Sequence, residues 1–97
     1  MRLRPDRPEG VGRAAWAVAH LLARRSCCPR DLTRADIYEY RGRIRDLREA
    51  GAVVAVGKCQ RHDHPYNPNM PSYRLVTVPD DWRAEPSGSV WEAVMNG

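Results

Sequence analysis

The chain has 97 residues, a formal net charge of +4 at pH 7 and 42% hydrophobic residues, which suits one small domain with a modest core. No apolar run is long enough to cross a bilayer, and the N-terminus lacks the apolar region of a secretory signal, so we expect no membrane association. Three cysteines, two of them adjacent, argue against a disulfide framework and favour a reducing, cytoplasmic location.

Arginine supplies all but one of the basic residues. The excess positive charge permits nucleic-acid or acidic-protein partners without requiring them. Arginine together with abundant alanine, glycine and proline fits GC-rich coding equally well. The composition therefore leaves the kind of partner open.

Residues 1–10 combine arginine, proline and glycine with few apolar groups, which is typical of a flexible N-terminal arm. Residues 12–25 follow as a predicted helix, because alanine favours helices and the arginines at 24 and 25 suit a helix C-terminus. The predicted apolar stripe of this helix consists of Ala14, Val18, Leu21 and Leu22.

The segment 26–35 allows two interpretations. Pro29 can be the first residue of a short helix with Leu32 pointing inward. Alternatively, Thr33 can cap a longer helix that continues into the next one. We favour the short helix with a turn near Arg34, which produces a helix-turn-helix with a compressed second helix.

Residues 36–56 predict a helix followed by a strand. The helical apolar stripe consists of Ile37, Tyr40, Ile44 and Leu47. We expect Asp36 to cap the helix with Glu39 reaching back in a capping box, and Gly51 to end it in a left-handed conformation. The β-branched run from Ala52 to Val56 then predicts a strand.

The opposite face of this helix is basic around a glycine. It carries Tyr38, Gly42 and Arg45, with Arg41 at its edge. Such a face can lie close to a polyanion, although the glycine costs about 1 kcal/mol of helix propensity relative to alanine. The competing interpretation is a solvated face neutralised by ion pairs four residues apart, Glu39 with Arg43 and Arg45 with Glu49.

The rest of the chain predicts a hairpin and a tail. Residues 57–71 contain prolines and asparagines that exclude regular structure, so they form a long loop before a second strand at 72–78. Residues 79–88 are typical of a linker, and 89–95 predict a short helix with an apolar side. That side either folds back on the domain or joins two chains, and we favour a homodimer.

The predicted order of elements resembles the winged helix-turn-helix domains of bacterial and bacteriophage DNA-binding proteins. The residues that carry the resemblance are RIRDLREAGAVVAVGKC, at 43–59, and SYRLV, at 72–76. The implied fold is α+β, with three helices and a two-stranded hairpin with a long wing at 11–78, preceded by the arm at 1–10. A linker and short C-terminal helix follow at 79–97.

The resemblance implies that the third helix enters the major groove of double-stranded DNA and that the wing touches the backbone. The residues expected to contact DNA are Arg34, Tyr38, Arg41, Arg45, Lys58, Arg61 and His62. We expect a transcriptional regulator or phage accessory factor in the bacterial cytoplasm. The alternative is a winged helix that binds protein, such as a phage-encoded inhibitor of a host defence complex.

Metal binding and catalysis have weaker sequence signals. Cys59, His62 and His64 are spaced C-x2-H-x-H, and Cys27 and Cys28 could add ligands. This spacing matches no zinc motif that we recognise, and two alternating histidines on an extended loop point in opposite directions. We therefore expect reduced cysteines, no metal and no cofactor. The sequence contains no nucleophile elbow or phosphate loop, so we expect no enzymatic activity.

Overall fold

The computed structural model describes residues 1–62, 64–65 and 67–84. Three helices come first in the chain: α1 (Arg13–Arg24), α2 (Pro29–Arg34) and α3 (Tyr40–Glu49). Two antiparallel strands follow, β1 (Val53–Lys58) and β2 (Pro71–Thr77), and a short 3-10 turn covers Asp80–Trp82. The chain is therefore a small α+β domain with three helices and a two-stranded hairpin, as the coarse prediction had it.

Helix α1 presents a different stripe to the core from the predicted one. Ala14 is exposed and Leu21 is half-buried, whereas Val18 and Leu22 are fully buried as expected. The prediction missed Trp16, which packs its ring edge against Trp82 at a centroid separation of 5.5 Å. The buried face of the helix consists of Ala15, Trp16, Val18, Ala19 and Leu22.

Helix α2 begins at Pro29 and buries Leu32 completely, as the favoured interpretation predicted. It ends at Arg34, as predicted, but Asp36 has a different role from the predicted one. Asp36 does not cap the next helix; it lies just after α2 with a φ of 61°. The amide of Asp36 donates to the Thr33 carbonyl at 2.9 Å, and that of Ile37 donates to the Leu32 carbonyl at 2.9 Å. These two bonds form a Schellman motif that ends α2 and delays the start of α3 to Tyr40.

Helix α3 keeps its predicted end and, of its predicted apolar stripe, Tyr40, Ile44 and Leu47, whereas Ile37 lies before the helix. Ile44 and Leu47 are buried, and Ile37 and Tyr40 pack against the core while partly exposed. Gly51 follows the helix with a φ of 107°, and the Ala52 amide donates to the Leu47 carbonyl at 3.0 Å. The glycine stop is confirmed, because an L-residue rarely adopts this conformation.

The hairpin contributes one cross-strand pair of side chains to the core. Val54 pairs with Leu75, and both side chains are buried, whereas the register ends with Lys58 opposite Pro71. A shift in register between Val53 and Val54 marks a bulge. Both strands begin and end within one or two residues of the predicted bounds, and residues 59–70 form the loop between them.

The link between α1 and α2 also joins the sheet. Cys27 and Tyr73 exchange two backbone hydrogen bonds of 2.8 Å each. This isolated bridge holds the start of α2 beside β2. It also places Cys28, the next residue, beside the base of the hairpin loop.

Residues 2–4 and 82–84 lie side by side, which corrects two predictions. Leu3 is buried and pairs with Arg83, and the Arg4 amide donates to the Trp82 carbonyl at 2.9 Å. The start of the chain is therefore not the free arm that we expected, and Trp82 is core rather than linker. The prediction rested on the polar composition of residues 1–10, but a single apolar side chain, Leu3, is enough to attach the segment to the core. The predicted helix at 89–95 lies outside the described residues.

Candidate functional site

The basic face of α3 is exposed and lacks the ion pairs of the competing interpretation. Arg41 and Arg45 are both exposed, and neither has a partner within the described part of the chain. In the described residues, the pairs of Glu39 with Arg43 and of Arg45 with Glu49 that the competing interpretation required do not form. Nε of Arg43 instead lies 3.2 Å from the Asp46 carboxylate. Two unpaired guanidinium groups therefore lie one helical turn apart on this face.

Gly42 lies between these arginines with open space above it. A Cβ at Gly42 would meet no atom within 4 Å. Internal packing therefore does not require glycine here. Tyr38, on the segment before α3, is also exposed, with 69% of its surface accessible. This face can accept a close external partner.

Of the remaining predicted DNA-binding residues, two are exposed and two contact α2. Arg34 and Lys58 are exposed at the end of α2 and the end of β1. The Arg61 guanidinium donates to the Asp31 carboxylate at 2.9 Å and to the Ser26 carbonyl at 3.4 Å. His62 is half-buried, with Nε2 3.6 Å from the same carboxylate. Arg61 and His62 thus connect the hairpin loop to α2.

Four side chains from two parts of the chain converge at this connection. Cys28, Cys59, His62 and His64, which we call the Cys–His cluster, each offer one ligand atom, and these atoms all lie within 4.8 Å of one another. The Sγ of Cys28 is 3.3 Å from Nδ1 of His62, and the Sγ of Cys59 is 3.7 Å from the same nitrogen. The expectation that the two histidines point in opposite directions is therefore wrong.

Local folding explains the convergence. Cys28 precedes the first turn of α2, and its amide donates to the Asp31 carboxylate at 3.2 Å. Cys59 follows β1 directly, and its amide donates to the Met70 carbonyl at 2.8 Å. A further turn, in which the Asn67 amide donates to the His64 carbonyl at 3.0 Å, folds the loop so that it is not extended at His64.

The cluster favours a thiolate at Cys59. Burial opposes ionisation, but the amides of Arg61 and His62 and the imidazoles of His64 and His62 lower the pKa of the Cys59 thiol to about 6. Burial raises the pKa of Cys28, against the opposing effect of the Asp31 and Arg30 amides. The two sulfurs therefore differ in their readiness to ionise.

Asp31 is ionised more readily than an ordinary aspartate. Burial alone would raise its pKa, but the Cys28 amide and the Arg61 guanidinium outweigh burial and lower the pKa of Asp31. Its side chain is only 8% exposed. A fixed negative charge therefore lies directly behind His62.

Comparisons of the chain with protein-family models, with curated proteins and with solved structures found no match. None of the helices in the described residues is both long and apolar enough to cross a membrane.

Proposed function

We propose that this protein is a winged helix that binds double-stranded DNA, with α3 in the major groove and the hairpin loop beside the backbone. Its role would be that of a transcriptional regulator or a phage accessory factor. The observation that carries the proposal is the pair of exposed, unpaired guanidinium groups of Arg41 and Arg45 on α3. The order of three helices followed by an antiparallel hairpin supports it.

Arginines four residues apart on an exposed helix face suit recognition of DNA. Each guanidinium can bind the O6 and N7 acceptors of guanine with two parallel hydrogen bonds, or bind a phosphate. Because Arg41 and Arg45 have no internal partner in the described residues, binding would not have to break an ion pair first. The acidic residue next to Arg45 in sequence, Asp46, already pairs with Arg43.

Lys58 and Arg34 are the best candidates for backbone contacts outside α3. Both are exposed, and Lys58 is the last residue of β1 before the loop. Arg61 and His62 contribute less directly, because they bind Asp31 and hold the loop in position. Phosphate contacts of this kind fix the orientation of a protein on DNA and make its affinity dependent on salt.

Fluorescence anisotropy with mixed genomic fragments tests the proposal. Affinity should fall with salt, with a log–log slope of about −3 to −7 for a handful of phosphate contacts. Arg41→Ala and Arg45→Ala should each weaken binding about 5- to 150-fold if they read base edges. Arg24→Ala is the matched control, since Arg24 is equally exposed but lies on α1. Equal losses in all three variants, or no binding at low salt, would refute the proposal.

The hairpin supports a second candidate, a winged helix that binds another protein. Val53, Val56 and Val76 are exposed by 52%, 57% and 39%, so the strands offer apolar surface to a partner. Such a protein could be a phage-encoded inhibitor of a host defence complex. In this case Val56→Asp should abolish binding to a purified host partner while Arg45→Ala should not. The reverse pattern would exclude this candidate.

A further inference from the structure

We propose that the Cys–His cluster binds one zinc ion, which ties the hairpin loop to the start of α2. The proposal reverses the sequence-based expectation of a metal-free protein. It does not depend on DNA binding, because its evidence lies in the ligand set and its geometry. Two sulfur and two nitrogen ligands in a tetrahedral arrangement are the set that zinc prefers in structural sites.

The distances within the cluster fit such a tetrahedron. Zinc–sulfur bonds of about 2.3 Å and zinc–nitrogen bonds of about 2.0–2.1 Å place a sulfur about 3.6 Å from a nitrogen across a tetrahedral edge. The two sulfur–nitrogen separations to Nδ1 of His62 are 3.3 Å and 3.7 Å. The 4.8 Å limit on all pairs means that small side-chain rotations are enough to close the site.

A carboxylate orients His62 as a ligand. When Nδ1 binds a metal, Nε2 carries the proton and needs an acceptor. Asp31 Oδ1 lies 3.6 Å from Nε2, and the second oxygen of Asp31 is held by Arg61 and by the Cys28 amide. The two atoms are beyond hydrogen-bond distance, but the negative charge of Asp31 favours the tautomer with its proton on Nε2, which leaves Nδ1 free to bind a metal.

Burial gives an independent reason for a ligand at this position. Cys28 is 1% exposed, yet it is not part of the apolar core cluster that contains Cys27. Nε2 of His64 is buried and has no hydrogen-bond partner among the described residues. Buried polar atoms are nearly always paired, so this unpaired nitrogen, on a ring that belongs to the Cys–His cluster, indicates a missing partner. A metal ion bound by this ring would relieve the deficit.

The site would be structural rather than catalytic. Four protein ligands fill a tetrahedral zinc ion and leave no position for water or substrate. One ligand comes from the residue before α2, and three come from the loop that follows β1. Zinc would therefore cross-link two segments that are far apart in sequence. It would also fix Lys58, which precedes Cys59, relative to the helices.

Elemental analysis of the full chain is the first test. The protein is purified with a non-thiol reductant and without added metal, and it should contain about one zinc per chain. Replacement by cobalt should give the intense visible bands of a tetrahedral ion and a thiolate-to-cobalt charge-transfer band. Zinc at a substoichiometric level, or cobalt without the charge-transfer band, would indicate adventitious binding and would overturn the proposal.

Variants locate the site. Cys59→Ser should lose stoichiometric zinc and the charge-transfer band. Cys27→Ser is the control, because Cys27 is next to Cys28 in sequence but its sulfur faces the Leu21 and Arg25 carbonyls at 3.8 Å and 3.6 Å instead of the cluster. Asp31→Asn should keep the tetrahedral spectrum but weaken metal affinity about 10- to 100-fold. Equal metal content in Cys59→Ser and Cys27→Ser would refute the assignment.

Thermal unfolding shows whether the metal supports the fold. Zinc at about a hundredfold excess over its Kd should raise the Tm of the wild type by roughly 10–20 °C relative to the chelated protein. Cys27→Ser should respond in the same way, and Cys59→Ser should not respond. A wild-type Tm that is unaffected by zinc and by a chelator would overturn the proposed cross-link. Loss of DNA binding alone, with zinc retained, would bear on the proposed function and not on the metal site.

Discussion

Two separate alanine variants, at Ile44 and at its neighbour Arg45, should show that one face of α3 stabilises the fold and the other binds DNA. Ile44 is 2% exposed and belongs to the core cluster, whereas Arg45 is exposed and has no partner in the described residues. Ile44→Ala should therefore lower the free energy of unfolding, and Arg45→Ala should lower DNA affinity. The two residues are adjacent, so both variants test the same turn of the helix.

The magnitude for Ile44→Ala follows from burial. The substitution removes three carbon atoms, and each buried methylene contributes about 0.8 kcal/mol, for a transfer loss of about 2.4 kcal/mol. A residual cavity adds to this loss, and measured values for such substitutions are about 2–5 kcal/mol. In a domain of this size, a loss of about 3 kcal/mol lowers the Tm by roughly 12–24 °C. Arg45→Ala should change the stability by less than about 0.5 kcal/mol.

Urea unfolding followed by circular dichroism measures both variants. The midpoint should fall for Ile44→Ala without a change in slope, because the surface exposed on unfolding stays nearly the same. The anisotropy assay on folded Arg45→Ala then isolates the effect on binding. If Arg45→Ala lowers the Tm as much as Ile44→Ala does, the assignment of the buried and exposed faces of α3 is wrong.

Alanine at two glycine positions should change the free energy of unfolding in opposite directions. Gly42→Ala should stabilise the protein by about 0.5–1 kcal/mol, because a Cβ there meets nothing within 4 Å. Gly51→Ala should destabilise the protein by about 1–2 kcal/mol, because φ is 107° and the new Cβ would lie 3.2 Å from Pro79 Cγ. Equal shifts of the urea midpoint in the two variants would contradict this reasoning. Truncation after Pro86 should convert a dimer into a folded monomer if residues 89–95 join two chains, as measured by light scattering and melting together. A full-length chain that is monomeric at high concentration would exclude that role.

Local patterns in the sequence were sufficient to predict the helices and the hairpin. Pro29 at the first position of α2 and Gly51 after α3 are residues whose backbone preferences act within one turn, and both predictions are confirmed. The buried positions Ile44 and Leu47 of α3 follow from the helical period. These features depend on neighbours a few residues away, so the sequence order alone determines them.

Tertiary structure decided the features that join distant segments. Asp36 could cap a helix or end one by local preference; in the fold it ends α2, while Ile37 packs against the core and its amide donates to the Leu32 carbonyl. Leu3 and Trp82 come from polar segments, yet the fold brings both into one core. Cys28 and the loop at 59–64 meet because the bridge of Cys27 with Tyr73 sets α2 beside the hairpin. No local period encodes a contact across more than thirty residues, so the ligand set of the Cys–His cluster becomes visible only when the chain is folded.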